Sequence, residues 1–243
     1  MPVVVAMQGC EGEGAERVII FVDYEHPDGY KDGKGAAMQA ARTWISYRLE
    51  DLSGMPCMLV RWNRITPELL DKLDARAIFI SGNGSSPDLY DEADLAPLYG
   101  IIQNSGLPIF GFCGGLQCIS LALGAELAQI DVGSQPQESD VLTQWPNGNW
   151  AEFGYHPIEV AGKHVLLEGL GDSPVFYHAH GLHVPDPPEG FEVFARTDIT
   201  PVQLMIDDER HMVGTQFHPE YWTDEHPMGE QLIANFMRWV GLI

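Results

Sequence analysis

The chain has 243 residues, 45% of them apolar, and its 13 Lys plus Arg stand against 35 Asp plus Glu, a formal charge of −22. So few cations exclude, as first readings, a protein that neutralises phosphates and one held on an anionic membrane surface. The apolar share is enough for a sizeable core, and no break in composition divides the chain, so residues 1–243 read as a single domain.

In chain order, residues 1–17 read as a peripheral N-terminal segment. Their short apolar run, Val3 to Met7, has no basic residues ahead of it, which is unlike a secretory signal. No later stretch approaches the ~20 apolar residues of a membrane span. Val18 to Asp23 is a first buried strand, followed by a loop containing Gly29, Gly33 and Gly35 and a helix from Ala36 to about Leu52. Lys31 and Lys34 in that loop form no phosphate-binding pattern. Cys57 to Val60 is the next strand. Thr66-Pro67-Glu68 then opens a helix with a capping hydroxyl followed by Pro at the first position. Ala77 to Ile80 is a third strand, ended by Ser81-Gly82-Asn83-Gly84. A helix near Leu95 to Asn104 leads to a fourth strand, Pro108 to Phe112, and a small-residue helix from Gly115 to Leu123. Apolar runs alternating with helices indicate a parallel sheet covered on both faces.

The second half changes character. Phe153 to Val160, Phe191 to Ala195, Val202 to Ile206 and Met212 to Phe217 read as strands with few helices between them, an antiparallel extension and the closing strands of the sheet. Leu232, Ile233, Phe236, Met237 and Val240 share one face of a C-terminal helix. Cys10, Cys57, Cys113 and Cys118 are too few for a disulfide framework, so a reduced, cytoplasmic setting is expected, with Cys118 in the core. Scattered acids such as Asp207-Asp208-Glu209 read as solvated surface. Adaptation to high salt is a second reading, and a melting temperature that does not rise with KCl eliminates it.

Chemistry concentrates in two segments. In Phe110-Gly111-Phe112-Cys113-Gly114-Gly115 a strand runs through Gly-x-Cys-x-Gly directly into a helix. A nucleophile on such a turn is strained and exposed, and the helix N-terminus behind it offers N–H groups to an oxyanion. Alone, the motif is also compatible with a buried cysteine in an ordinary strand-to-helix turn. The second segment is Gln216-Phe217-His218-Pro219-Glu220. In an extended conformation His218 and Glu220 project on the same side, about 6–7 Å apart at their Cα atoms. A carboxylate there can hold an imidazole in the tautomer that accepts a thiol proton. His178 and His180 would share a strand face with His183 opposite, and no Asp or further His completes a ligand spacing, so no metal and no other cofactor is expected.

The elbow, the Gln-Phe-His-Pro-Glu segment and the Ser81-Gly82-Asn83-Gly84 turn, in this order, resemble the class I glutamine amidotransferase family. Supporting stretches are Leu121 to Ala125, Glu152 to Tyr155 and Gly229 to Trp239, and the likeness runs from about Val18 onward. The resemblance implies an α/β, flavodoxin-like three-layer sandwich, its central sheet mostly parallel with an antiparallel extension in the second half. It implies hydrolysis of a γ-glutamyl amide through a thioester, with Cys113 as nucleophile, His218 relaying the proton and Glu220 orienting His218. The oxyanion would sit between the backbone N–H groups of Asn83 and Gly114. Gly82, Gln117, His180, Gly181 and Leu182 would meet the substrate.

Asn83 departs from the usual Ser-Gly-Gly-Pro-Gly of the family. Its tolerance of positive φ would let the turn survive, while its side chain would occupy space near the substrate's α-carbon end. Three readings follow: a glutaminase passing ammonia to a separate synthase, since no synthetase follows the last helix; a stand-alone γ-glutamyl hydrolase or peptidase; and a non-catalytic binding protein on the same fold. The acidic charge disfavours anionic γ-glutamyl peptides in the second.

Overall fold

The computed structural model describes residues 17–31, 33–133 and 139–243. Nearly all of the expected peripheral segment lies outside the described residues. The strands are β1 (Val18–Asp23), β2 (Cys57–Arg61), β3 (Ala75–Ile80), β4 (Ile109–Phe112), β5 (Ala128–Gln129), β6 (Leu142–Gln144), β7 (Trp150–Pro157), β8 (Glu159–Val160), β9 (Val175–His180), β10 (Leu182–His183), β11 (Glu192–Arg196), β12 (Leu204–Asp207) and β13 (Met212–Thr215). The α-helices are α1 (Gly35–Ser53), α2 (Pro67–Lys72), α3 (Glu92–Asn104), α4 (Gly114–Ala122) and α5 (Met228–Trp239).

Eight strands form the main sheet, in the order β2-β1-β3-β4-β13-β12-β11-β8. Pairing is parallel from β2 to β13 and antiparallel from β13 to β8. Every residue of β1 is buried, and its alternation divides the core in two. Ile20 and Val22 pack with Leu70 of α2, Leu98 and Ile102 of α3, and Leu116 and Ile119 of α4. Ile19 and Phe21 pack on the other face with Ile45 and Leu49 of α1 and Leu232, Ile233 and Phe236 of α5. Helices on both faces of a mostly parallel sheet make the three-layer α/β sandwich that the sequence leads one to expect. At the start of α2, Thr66 Oγ1 accepts from the Leu69 N–H at 3.2 Å.

The Phe153 run departs from expectation. β7 pairs with β6 and β9 in a separate three-stranded sheet, and only Glu159–Val160 reaches the main one. Pro157, with no N–H to donate, ends β7 and divides the run. β9 carries its buried positions on Phe176, His178 and His180, so two inward-facing histidines hide the apolar alternation that marks a strand.

The order 2-1-3-4 places the carboxyl ends of β1, β3, β4 and β13 along one edge, where open α/β sheets bind ligands. The loop after β3, the elbow after β4 and the histidine after β13 emerge there side by side.

Candidate active site

Cys113 stands between β4 and α4 at φ 50°, ψ −102°, a backbone region that non-glycine residues rarely adopt. The strain, about 1–3 kcal/mol for such a residue, is held in place on both sides. β4 is locked to β13, and the Cys113 N–H donates to Thr215 O at 2.6 Å. The adjoining backbone closes on the loop after β3: a Cβ on Gly114 would lie 2.9 Å from Asn83 N and 2.0 Å from its Oδ1. Among the described residues, neither the Asn83 nor the Gly114 N–H has an acceptor, so two free donors flank the cysteine.

His218 follows β13, and its N–H donates to Tyr177 O at 2.8 Å. The sequence predicts that His218 and Glu220 meet across an extended segment. The geometry is different: Pro219, with its fixed φ, starts a 3₁₀ turn, Pro219–Tyr221, that folds Glu220 back. Nδ1 of His218 lies 2.7 Å from Glu220 Oε1, which leaves Nε2 as the nitrogen for a proton from the thiol. Burial works to lower the His218 pKa, but the charge of Glu220, then that of Cys113, and hydrogen bonds to both outweigh it, raising the pKa to about 10.

The Gly82–Ser85 loop is tied down by residues that sequence reasoning did not single out. Arg42 Nη2 of α1 donates to Gly82 O at 2.6 Å, and its Nε donates to Asp23 Oδ1 at 3.0 Å. Tyr30 OH donates to the other Asp23 oxygen. Glu25 accepts from the Gly84 N–H at 2.7 Å and from Ser85 Oγ at 2.5 Å. Asn83 is not at positive φ, contrary to expectation. Its Nδ2 instead donates to Ser85 O at 3.0 Å and Tyr90 OH at 2.9 Å, which stabilises the turn and leaves Oδ1 against Gly114. The signal that could have found Asp23 and Glu25 is their place at the carboxyl end of β1 in a sheet of this order.

Two cavities meet at this loop. One, of about 590 Å³, is lined by Cys113, Asn83, Gln117, His180, Gly181 and Leu182, together with Trp145 and Asn149. Gln117 Nε2 donates to Leu182 O at 3.1 Å, which fixes one wall. The other, of about 480 Å³, holds His218 and Gly82. The structure thus gathers eight of the ten expected residues around the two lobes, with Gly82 on the His218 side; Gly114, at the start of α4, lies beside Cys113 and Asn83, and Glu220 is buried behind His218. Gly82 packs tightly: a Cβ there would lie 2.7 Å from His218 Cε1. Gly82→Ala is therefore expected to displace the imidazole and lower kcat by about 10²-fold, measured as glutamate release; unchanged kcat would contradict the packing.

The sequence supplies no third ligand for His178 and His180, but the fold does: Glu152 of β7 and the two histidines hold donor atoms within 4.8 Å of one another. The carboxylate is already occupied by protein donors. Oε1 accepts from Thr197 Oγ1 at 2.7 Å, and Oε2 from Thr200 Oγ1 at 2.6 Å and Gln203 Nε2 at 2.9 Å, with His180 Nε2 at 3.1 Å. We read the group as an internal hydrogen-bonded cluster and assign it no metal. His183 lies outside it.

Burial, then the charge of His180, lowers the His178 pKa to about 3. Burial would raise that of Glu152, but His180 and Thr200 outweigh it and lower it to about 2. Both groups bind protons more readily when unfolded. Stability is therefore lost as pH falls from 6.5 toward 3 through His178, and from 4.5 toward 2 through Glu152, at up to about 1.4 kcal/mol per pH unit for each group. Thermal unfolding at pH 7, 6, 5 and 4 should show this decline, flattened in His178→Leu; equal slopes would contradict it.

The family model described as "Glutamine amidotransferase class-I" matches residues 39–239. A GMP synthase [glutamine-hydrolyzing] from Psychrobacter arcticus is 28% identical over 196 residues, covering 79% of this chain and 32% of the relative. One from Nostoc punctiforme is 34% identical over 176 residues, covering 72% and 28%. The chain thus spans about a third of the length of these relatives. Among solved structures, a candidate GMP synthase component from Thermoplasma acidophilum superposes with TM-score 0.67 at 21% identity, covering 92% of this chain and 94% of that one. A glutamine amidotransferase from Thermotoga maritima superposes with TM-score 0.65 at 14% identity, covering 93% and 98%. At these identities the structural likeness speaks for the fold.

Proposed function

The chain belongs to the class I glutamine amidotransferase family, and from that premise we propose that it hydrolyses a γ-glutamyl amide through a thioester on Cys113. Cys113 Sγ attacks the amide carbon while His218, protonated beside Glu220, holds the proton given up by the thiol. The resulting oxyanion accepts from the Asn83 and Gly114 N–H groups. The C–N bond then breaks, the proton on His218 passes to the departing nitrogen, and water, activated by the same imidazole, releases glutamate and the free thiol. Glu220 holds the imidazole tautomer and balances its charge. Gln117, His180, Gly181 and Leu182 bound the space for the γ-glutamyl half. No resident cofactor enters these steps.

One observation carries this reading: a backbone-strained cysteine lies between two free N–H donors and beside a histidine whose Nδ1 is 2.7 Å from a buried carboxylate. With glutamine as substrate, the ammonia would pass to a synthase domain or subunit, by analogy with the glutamine-hydrolysing GMP synthases it resembles. No helix among the described residues is long and apolar enough to cross a membrane, and we place the reaction in the cytoplasm, as a single domain.

The test is glutamate release from glutamine, with and without candidate synthase partners, beside a Cys113→Ala control. Release by the wild type alone supports the reading; no release from any γ-glutamyl amide, with Cys113 unlabelled by an electrophilic glutamine analogue, would leave the non-catalytic alternative. Glu220→Gln should slow thioester formation by about 10²–10⁴-fold in a pre-steady-state burst, less than Cys113→Ala does. Equal losses would contradict an orienting role.

A further inference from the structure

The cavity on the His218 side bears on which amide is cleaved. Its wall is aromatic, formed by Trp44, Tyr155, Tyr177 and Tyr221, with Glu25 and His218 also in its lining. The rings brace one another: Tyr155 and Tyr177 have centroids 5.2 Å apart, Tyr177 and Tyr221 5.8 Å, and Tyr221 and Trp44 6.3 Å. Trp44 is 43% exposed yet fixed, because the Arg48 guanidinium lies 3.5 Å over its ring while donating to Glu220 O and Trp222 O at 3.0 Å. Tyr155 OH donates to Tyr221 O at 2.6 Å, so its polar end is satisfied and its ring is left to form the wall. Such a wall is built before any ligand arrives, which reduces the ordering cost of binding.

Direction follows from proton delivery. The departing nitrogen collects its proton from His218, whose ring lines this cavity, whereas Cys113 lines the other. The γ-glutamyl half therefore occupies the 590 Å³ lobe and the amine half the 480 Å³ lobe. Ammonia is about the size of a water, whose share of liquid volume is about 30 Å³, so it would leave nearly all of the second lobe without a contact. The charges select further. Arg42, the one arginine or lysine of the lining, is committed to Asp23 and Gly82 O, and the charge of His218 is balanced by Glu220. Glu25 and the charge of −22 disfavour a carboxylate on the leaving group.

We infer that this second cavity is a leaving-group subsite for the amine half of a γ-glutamyl amide, an amine with an aromatic or extended apolar body. The inference rests on the thioester reading above: attack by Cys113 breaks the amide C–N bond, the proton on His218 completes the amine, and one water per turnover releases glutamate.

The experiment compares kcat/KM of the purified protein for three probes: γ-glutamylbenzylamide, γ-glutamylglutamate and glutamine. The benzylamide is expected to exceed γ-glutamylglutamate by about tenfold or more, the effect of one well-placed ring, and to be at least as good as glutamine. Trp44→Ala should lower the benzylamide-to-glutamine ratio by a similar factor, and Trp44→Phe should restore most of it. Turnover of glutamine with no turnover of the benzylamide, or a ratio that Trp44→Ala leaves unchanged, overturns the subsite while leaving the thioester reading intact. Failure of all three probes overturns both.

Discussion

Replacing Cys113 with alanine is expected to remove glutamate release altogether, a loss on the order of 10⁴–10⁶ in kcat, because nothing else at the site can form the thioester. Cys118, on the helix that follows Cys113, is fully buried, and burial pushes its pKa up to about 12. The same position makes an unusual stability prediction. Glycine ordinarily destabilises a folded chain relative to alanine by about 0.5–1 kcal/mol. At φ 50°, ψ −102° the order should reverse, because only glycine adopts that backbone without strain. Cys113→Gly should therefore unfold at a higher temperature than Cys113→Ala, with both inactive. If the alanine variant is the more stable, the elbow is not strained in solution.

The second large effect is expected at Arg42, which touches neither cysteine nor histidine. A peptide unit is planar, so the Gly82 C=O and the Asn83 N–H point in opposite directions. By holding Gly82 O at 2.6 Å, together with Ser81 Oγ at 2.9 Å, Arg42 helps fix where the Asn83 N–H points and, in the proposed mechanism, keeps that oxyanion donor in place before substrate arrives. Arg42→Ala would leave Asp23 buried without its partner, at about 3–5 kcal/mol, and confound the measurement. Arg42→Lys keeps the charge but loses the fork that reaches Asp23 and Gly82 O together. It should lower kcat by about 10²–10³-fold, the usual effect of losing one oxyanion donor, with KM within a few fold and partial rescue by added guanidinium. A role confined to stability would lower the melting temperature and leave kcat near wild type.

These two positions show what the sequence makes legible. Cys113, His218 and Glu220 are readable because each sits in a short motif whose residue types have few other uses together. The parallel half of the sheet is readable because β1, β3 and β4 are apolar runs bounded by turn residues. Arg42, Asp23 and Glu25 are not readable in this way: Arg42 lies 40 residues from the carbonyl it holds, within a helix that gives no local reason for it. Glu152 escapes as a partner of His178 and His180 for the same reason, since only the pairing of β7 with β9 brings it opposite His180. The course of the His218–Glu220 link differs from expectation because spacing by two suits a strand, while Pro219 favours the turn that forms. The aromatic wall draws Trp44 from α1, Tyr155 and Tyr177 from facing strands, and Tyr221 from the turn after His218, so no window of sequence contains it.

The most direct test of the thioester chemistry is to mix the protein with a γ-glutamyl amide it turns over, quench in acid within the first turnover, and map the mass of the peptides. A single γ-glutamyl group on the peptide containing Cys113, released by hydroxylamine and absent from Cys113→Ala, is the predicted result. Turnover without that adduct, or an adduct that persists in Cys113→Ala, would contradict it.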